Sequence, residues 1–231
     1  VIFGKKNFQT TKYKLEKVVS SELLKWSRLD IAIKLFFLDN KDKGEFAKII
    51  YKKHIQAFTL GSFNEYGNTN KDSIQKYIDS FETTFNTIKN NGFENQISLL
   101  PISGDKSILN GAHRLASAIY LNEEVDCVFL DLENHIYDYK FFKQRHLSQD
   151  ILEIAVSKFI EYSENTHIAF IWPTAQGCDE DIEKIIPNII YRKEVKLNRN
   201  GAHNLLSQIY YGEDWLGDVD NNFNGSNAKL V

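Results

Sequence analysis

The stretch "ISLLPISGDKSILNGAHRLASAIYLNEEVDCVFL", residues 97–130, decides the fold. It predicts a strand at "ISLLPI", a turn at "SGDK", a short strand at "SIL", a helix from Gly111 to Leu121 and a strand at "VDCVFL". The continuous apolar run of the last strand is typical of a strand that is buried on both faces. Strands and helices that alternate in this way indicate an α/β or α+β protein.

Helical patterns surround this stretch. They are predicted at "SSELLKWSRLDIAIKLFFLDN", at "GEFAKIIYKKHIQAF", from Ile74 to "NNG" at 90–92, and at "LSQDILEIAVSKFIEYSE". "HIAFIW" predicts a further strand, "NIIYRKEVKL" a strand or hairpin, and 202–211 a last helix. We therefore expect an α+β (mixed α/β) fold with helices packed on a small mixed sheet. A first domain would span 1–147, and a second, smaller α/β segment 148–231.

Composition limits the classes of function. The formal net charge of −3 argues against a nucleic-acid partner, which favours a basic surface. No apolar run approaches the roughly 18–20 residues of a membrane span. The two cysteines, Cys127 and Cys178, lie far apart and predict a reducing, cytoplasmic setting. The 231 residues contain no methionine, and the chain ends abruptly after the polar "DVDNNFNGSNAKLV", so we expect a fragment of a longer protein, truncated at its C-terminal end.

The segment Asn-Gly-Ala-His-Arg, Asn110 to Arg114, stands at the predicted start of a helix. A helix start exposes unpaired N–H groups and the positive end of the helix dipole. Asn110 can cap this helix, Gly111 permits close approach of a ligand, and the Arg114 guanidinium suits phosphate oxygens. The pattern predicts a phosphate site. The alternative is a common Asn-Gly turn with an arginine that pairs with a nearby carboxylate.

The residues Phe85 to Asp131 resemble the core of the ParB/sulfiredoxin-like superfamily, in which a helix, a "PI" strand, a turn, a short strand and "DG-x-HR" follow in this order. In that superfamily the Gly-x-His-Arg segment binds nucleotide phosphates. The resemblance implies that Asn110, Gly111, Ala112, His113 and Arg114 contact the phosphates of ATP or another nucleotide, with Mg²⁺. Asn110 replaces the Asp of many members.

This sequence departs from the superfamily pattern at positions that distinguish one group of members from another. Sulfiredoxins carry a cysteine where this chain has Ala112, so reductase chemistry is not expected. ParB partition proteins continue into a basic helix-turn-helix module, which the sequence after Leu147 lacks. The relatives that remain are kinases of free serine, or modules that bind nucleotide without transferring phosphate.

The rest of the site is predicted from charged residues elsewhere. The loop "FNEYGNTNK" contains Glu65 and Lys71, and Glu65 resembles the loop base of the serine kinases; the alternative is a solvated loop acid. Asp30 and Lys34 suit an ordinary i,i+4 pair, or, with Arg28, a charged cluster at the site. We accordingly predict Glu65, Asp30 and His113 as catalytic residues. Lys71, Arg28 and Lys34 join Asn110–Arg114 as binding residues.

No metal-ligand spacing occurs among the remaining histidines, so no metal site is predicted; His54, His135, His146 and His167 are expected in the core or on the surface. The order "RLDIAIK…E-x-GN…K…NGAHR" resembles ParB-like modules of bacterial surface-polysaccharide biosynthesis proteins. "NGAHNLLSQIYYGED", residues 200–214, repeats Asn-Gly-Ala-His without the arginine, either as a duplication or as a coincidental helix start.

The sequence thus predicts an ATP-dependent, kinase-like phosphotransferase that acts on a small hydroxyl-bearing metabolite or sugar. The first alternative is a non-catalytic nucleotide-binding or scaffolding module of a larger polysaccharide-assembly protein. The second alternative is a DNA-binding relative of ParB.

Overall fold

The computed structural model describes residues 13–64, 71–93, 99–171, 182, 184–186, 188–196 and 227–230. The chain divides into two compact units, Val1–Thr166 and His167–Val231. The predicted α+β class is confirmed, since helices dominate and pack beside a small mixed sheet in the first unit.

The sheet of the first unit has three strands: β1 (Tyr13–Val19), β2 (Leu100–Ile102) and β3 (Glu124–Leu130). Their order is β1-β3-β2, with β1 antiparallel and β2 parallel to the central β3. The predicted short strand at "SIL" is a single bridge between Ile108 and Ile102. β1 was not predicted, because Lys14 and Glu16 fall on one face of "YKLEKVV" and Lys17 interrupts the other, so neither face is apolar throughout.

Six helices are present in the described residues, after a 3₁₀ turn at Ser20–Leu23. They are α1 (Leu29–Asn40), α2 (Phe46–Thr59), α3 (Ile74–Asn91), α4 (Ala112–Leu121), α5 (Tyr139–Gln144) and α6 (Gln149–Tyr162). α1 lies in the centre and contacts α2, α4 and α6. It is apolar on nearly every side, as expected for a buried helix.

The first predicted helix, 20–40, is not continuous. The chain leaves the 3₁₀ turn and resumes a helix only at Leu29, because Arg28 adopts φ −126° and ψ 52°. The Leu29 N–H donates to the Tyr137 carbonyl over 3.0 Å, and the Tyr137 N–H donates to the Ser27 carbonyl over 2.7 Å. These two hydrogen bonds replace the helical hydrogen bonds that are missing where the helix is interrupted. They also hold the loop that contains Tyr137 beside the start of α1.

The predicted end of α3 is confirmed. Gly92 follows the helix with φ 72°, and its N–H donates to the Ile88 carbonyl over 2.8 Å. Its apolar stripe, which includes Phe81 and Phe85, is buried, and α3 packs against α4.

The division between the compact units follows Thr166 rather than residue 147. α6 belongs to the first unit, since its apolar face, with Ile151 and Phe159, is part of the same core cluster. The Lys158 ammonium of α6 also donates a hydrogen bond to the carboxylate of Asp39, near the end of α1, over 2.5 Å. Because α6 buries its apolar face against α1, the first unit ends after α6 and not before it.

In the second unit the described strands are β4 (Phe170–Ile171), β5 (Lys193–Lys196) and β6 (Asn227–Leu230), in antiparallel order β4-β6-β5. β4 and β5 fall within the strands predicted at "HIAFIW" and "NIIYRKEVKL". The predicted helix at 202–211 and the second Asn-Gly-Ala-His copy lie outside the described residues. Across the described part of the chain, no helix has the length and apolarity needed to cross a membrane.

Candidate functional site

A cavity of about 360 Å³ opens in the first unit among α1, α2, α3 and the start of α4. This volume lies within the usual range of small-molecule sites. Nine of the predicted site residues line it: Arg28, Asp30, Lys34, Lys71, Asn110, Gly111, Ala112, His113 and Arg114. The tenth, Glu65, lies outside the described residues.

The start of α4 depends on Gly111, which caps the helix in a left-handed conformation with φ 94°. A Cβ at this position would lie 2.6 Å from Leu100 Cδ2 and 2.7 Å from Arg114 Nη2. Asn110 is not the N-cap that the sequence predicted; its side-chain oxygen accepts the Gly111 N–H over 2.7 Å instead. Gly111 therefore brings bare backbone to the cavity at the positive end of α4.

The turn before α4 is closed by a carboxylate. Asp105 accepts hydrogen bonds from the Ser103 hydroxyl, from the N–H and hydroxyl of Ser107 and from the Asn134 amide. Burial alone would raise the pKa of Asp105, but these bonds hold its pKa below the usual range. The turn thereby fixes the path from β2 to Asn110.

Arg114 is held on the wall of the cavity. Its Nη1 donates to the Leu99 carbonyl over 3.1 Å, and burial lowers its pKa. An arginine stays charged even so. A partly desolvated guanidinium beside a helix start suits the oxygens of a phosphate.

His113 is a fixed, neutral ring. Its Nε2 lies 2.7 Å from the Tyr51 hydroxyl, and its ring stacks on Phe81 with 4.4 Å between ring centres. Burial lowers its pKa well below the usual range, and the charges of Lys34 and Lys71 lower it further. At neutral pH it is an uncharged hydrogen-bonding group in a cationic surrounding.

Beneath the cavity, Arg28, Asp30 and Lys34 form a buried ionic cluster, with residue exposures of 3%, 1% and 5%. The Arg28 fork donates to both oxygens of Asp30 over 2.9 and 3.0 Å. The Lys34 ammonium donates to the same carboxylate over 3.1 Å and to the Asp30 carbonyl over 3.2 Å. Asp30 and Lys34 therefore form the ordinary i,i+4 pair, and Arg28 joins them in a charged cluster that lines the cavity.

The cluster has one more positive than negative charge. Burial alone would raise the pKa of Asp30, but Arg28 and Lys34 hold it well below its usual range. Burial lowers the pKa of Lys34, although Asp30 opposes that shift. With Lys71 and Arg114, four cationic side chains and one carboxylate line the described part of the cavity.

Several lining residues escaped the sequence analysis. They are His54, Ile55, Phe58, Tyr77, Ser80, Thr84, Leu109, His135 and Tyr137. Tyr77 belongs to the apolar stripe of α3, so its pattern indicated only a core position. His54 lies on the apolar face of α2, where a histidine carries no signal of a site. Ser80 and Thr84 could have been found from their i,i+4 spacing beside that stripe.

The donor set fits a phosphate group better than a metal ion held by the protein. Asp30 is the one carboxylate among the described lining residues, and Arg28 and Lys34 occupy its oxygens. No group of three or more His, Cys, Asp or Glu that could hold a metal occurs in the described ranges. Mg²⁺ commonly takes its ligands from phosphates and water. Among the described lining residues, the donors suit phosphate oxygens, and a Mg²⁺ ion would take its ligands from those oxygens and water.

Comparison with known proteins gives no relative: no family model, no curated protein and no solved structure matches the chain.

Proposed function

We propose that the chain is an ATP-dependent phosphotransferase of the ParB/sulfiredoxin-like type, which acts on a small hydroxyl-bearing metabolite or sugar. One observation carries the proposal. Four cationic side chains and the Gly111 helix start line a single cavity in which the described residues include one carboxylate, already paired.

The charge imbalance supports a polyanionic ligand. Buried charges are costly unless opposite charges or hydrogen bonds compensate them. Asp30 neutralises only one of the two cations that touch it. The phosphates of a nucleotide offset this excess and accept hydrogen bonds from both the Arg114 fork and the start of α4.

Positioning and charge stabilisation are the main tasks of a protein in phosphoryl transfer. In the proposed reaction the acceptor oxygen bonds to the γ-phosphorus, the bond to the bridging oxygen breaks, and ADP leaves. The hydroxyl proton passes to a carboxylate, for which Glu65 remains the sequence prediction. Asp30 is better suited to hold Arg28 and Lys34 in place, because both its oxygens are engaged.

The direct test is nucleotide binding by Arg114→Ala and Arg114→Lys. We expect Arg114→Ala to weaken ATP binding by at least about tenfold, since a charge-assisted hydrogen bond contributes about 1.5–3 kcal/mol. Arg114→Lys keeps the positive charge but loses the two-pronged guanidinium, so its affinity for ATP should lie between that of the wild-type chain and that of Arg114→Ala. Isothermal titration calorimetry with ATP, ADP and CTP, with and without Mg²⁺, measures this effect.

Arg192→Ala removes an arginine that does not line the cavity and is the matched control. A wild-type chain that binds none of the three nucleotides at millimolar concentration would contradict the proposal, as would equal losses in Arg114→Ala and Arg192→Ala.

A second candidate is a nucleotide-binding module without turnover, within a larger polysaccharide-assembly protein. It is favoured by the engagement of Asp30, which leaves no unpaired carboxylate among the described lining residues. ADP formation separates the two candidates: the module binds ATP and releases no ADP with any hydroxyl acceptor, whereas the phosphotransferase does.

A further inference from the structure

A groove on the surface of the first unit lies between α2 and the start of α6. Its volume is about 600 Å³, and no residue lines both this groove and the cavity of the proposed phosphate site. One wall comes from α2, and the other comes from Leu147, Ile151 and Ile154, in and just before α6. Most of the lining side chains are apolar.

The α2 wall of the groove carries large apolar side chains that are open to solvent. Phe46 is 60% exposed, Ile49 is 52% exposed, and Leu60, directly after the helix, is 74% exposed. With Lys53 and Gln56 they recur at alternating intervals of three and four residues, the spacing by which one helix packs against another. Single exposed apolar residues are ordinary on a protein surface, but several along one groove mark an interaction site.

The charges of the groove complement one another across its two walls. Lys53 lies on the α2 wall and Asp150 on the α6 wall, and both are exposed. Neither side chain forms an ion pair or a hydrogen bond within the described ranges. The other charged lining group, Arg145, is engaged, since it donates to the carbonyls of Ala57 and Phe58 over 3.3 and 2.7 Å. The groove thus offers a cation on one wall and an anion on the other.

A second copy of the chain matches this pattern. In a twofold dimer the same patch meets itself, so the patch must be complementary to itself in shape and charge. When α2 of one copy lies along the groove of the other, its exposed apolar side chains enter an apolar groove, and Lys53 of each copy meets the partner's Asp150. Lys53 stands midway between Phe46 and Leu60, so the twofold axis passes near it. The two carboxylates then offset the repulsion between the two ammonium groups.

We propose that the groove between α2 and α6 is the interface of a homodimer, in which α2 of each copy packs between α2 and α6 of the other. Burial of the exposed apolar side chains supplies the driving force, and the pairs of Lys53 with Asp150 set the register. This inference does not rest on the proposed phosphotransferase function, because it concerns a surface that the cavity does not use.

The first test is the mass of the chain in solution. Sedimentation equilibrium and light scattering at about 1–100 μM should show a reversible equilibrium between one copy and two. Ile49→Glu puts a charge into the apolar seam and should weaken the dimer by at least about tenfold. Leu15→Glu is the matched control, because Leu15 is 59% exposed on β1 and does not line the groove.

The second test exchanges the charges. Lys53→Glu brings only carboxylates together at the axis, and Asp150→Lys brings only ammonium groups, so each should weaken the dimer by at least about tenfold. The double variant Lys53→Glu/Asp150→Lys restores opposite charges and should dimerise within about threefold of wild type. Lys52→Glu, at an exposed neighbouring position that does not line the groove, is the control for the change of charge alone.

All the substituted side chains are exposed, so the variants should fold, and circular dichroism verifies that they do. A wild-type chain with the mass of one copy throughout the range refutes the proposal and assigns the groove to a different occupant. A dimer that Ile49→Glu weakens no more than Leu15→Glu refutes it as well, as does a double variant that dimerises no better than the single ones. ATP affinity should stay within about twofold in every variant. Failure of the wild-type chain to bind ATP overturns the phosphotransferase proposal alone.

Discussion

Gly111 occupies a backbone position that a residue with a Cβ adopts only with strain. Its φ of 94° lies in the left-handed region, and the site of the missing Cβ is already crowded by Leu100 and Arg114. The same residue therefore fixes the start of α4 and leaves room for the guanidinium that lines the cavity. Structure and proposed function depend here on the absence of one methyl group.

We predict that Gly111→Ala destabilises the first unit and weakens nucleotide binding. The strained φ and the clash should lower the free energy of unfolding by about 1–3 kcal/mol. Arg114 must also move, so ATP affinity should fall. Gly104→Ala is the control, because nothing lies within 4 Å of its Cβ position. Chemical denaturation and calorimetry measure both effects; equal stability of the two variants would contradict the prediction.

At the scale of elements, the sequence predicted what local patterns encode. The stripe of α3 and its end at Gly92 follow from spacing and backbone preference, and the structure confirms them. α4 begins at Ala112, one residue after the predicted start, with Gly111 as its cap. The break before Leu29 escaped prediction because its bonds go to Tyr137, which is distant in the sequence. His54 escaped for a similar reason: only the tertiary fold brings its apolar helix face to a cavity.

The turn between β2 and α4 should depend on Asp105. Asp105→Ala removes hydrogen bonds to the Ser103 hydroxyl, to Ser107 and to Asn134, and we expect a loss of about 1–2 kcal/mol of stability. Because the turn leads directly to Asn110, ATP affinity should fall as well.

The matched control is Asp131→Ala, an exposed carboxylate with no hydrogen bond in the described residues. Thermal unfolding in parallel with ATP titration tests both parts. If Asp105→Ala is as stable as Asp131→Ala and binds ATP as tightly, the turn keeps its conformation without the Asp105 carboxylate, and the prediction is wrong.

For the whole molecule, the nine cavity residues named by the sequence come from three separate segments of the chain. The motif Asn110–Arg114 could be found by its local pattern, and Arg28, Asp30 and Lys34 by their charge. Their meeting could not be derived from spacing, because it depends on how α1, α3 and α4 pack in one core. That core also includes α6, which the predicted boundary at residue 147 had separated from it.

We therefore predict that a chain ending at Leu147 does not fold stably, whereas one ending at Thr166 does. The shorter chain lacks α6 and with it the burial of Ile151, Leu152 and Phe159 against α1. Each such side chain contributes about 1.5–3 kcal/mol, so the total is comparable to the whole stability of a domain, about 5–15 kcal/mol. The shorter chain also exposes apolar surface of α1 that should promote aggregation. Circular dichroism and a cooperative thermal transition measure the outcome, and a cooperative transition in the chain ending at Leu147 would place the end of the first unit before α6.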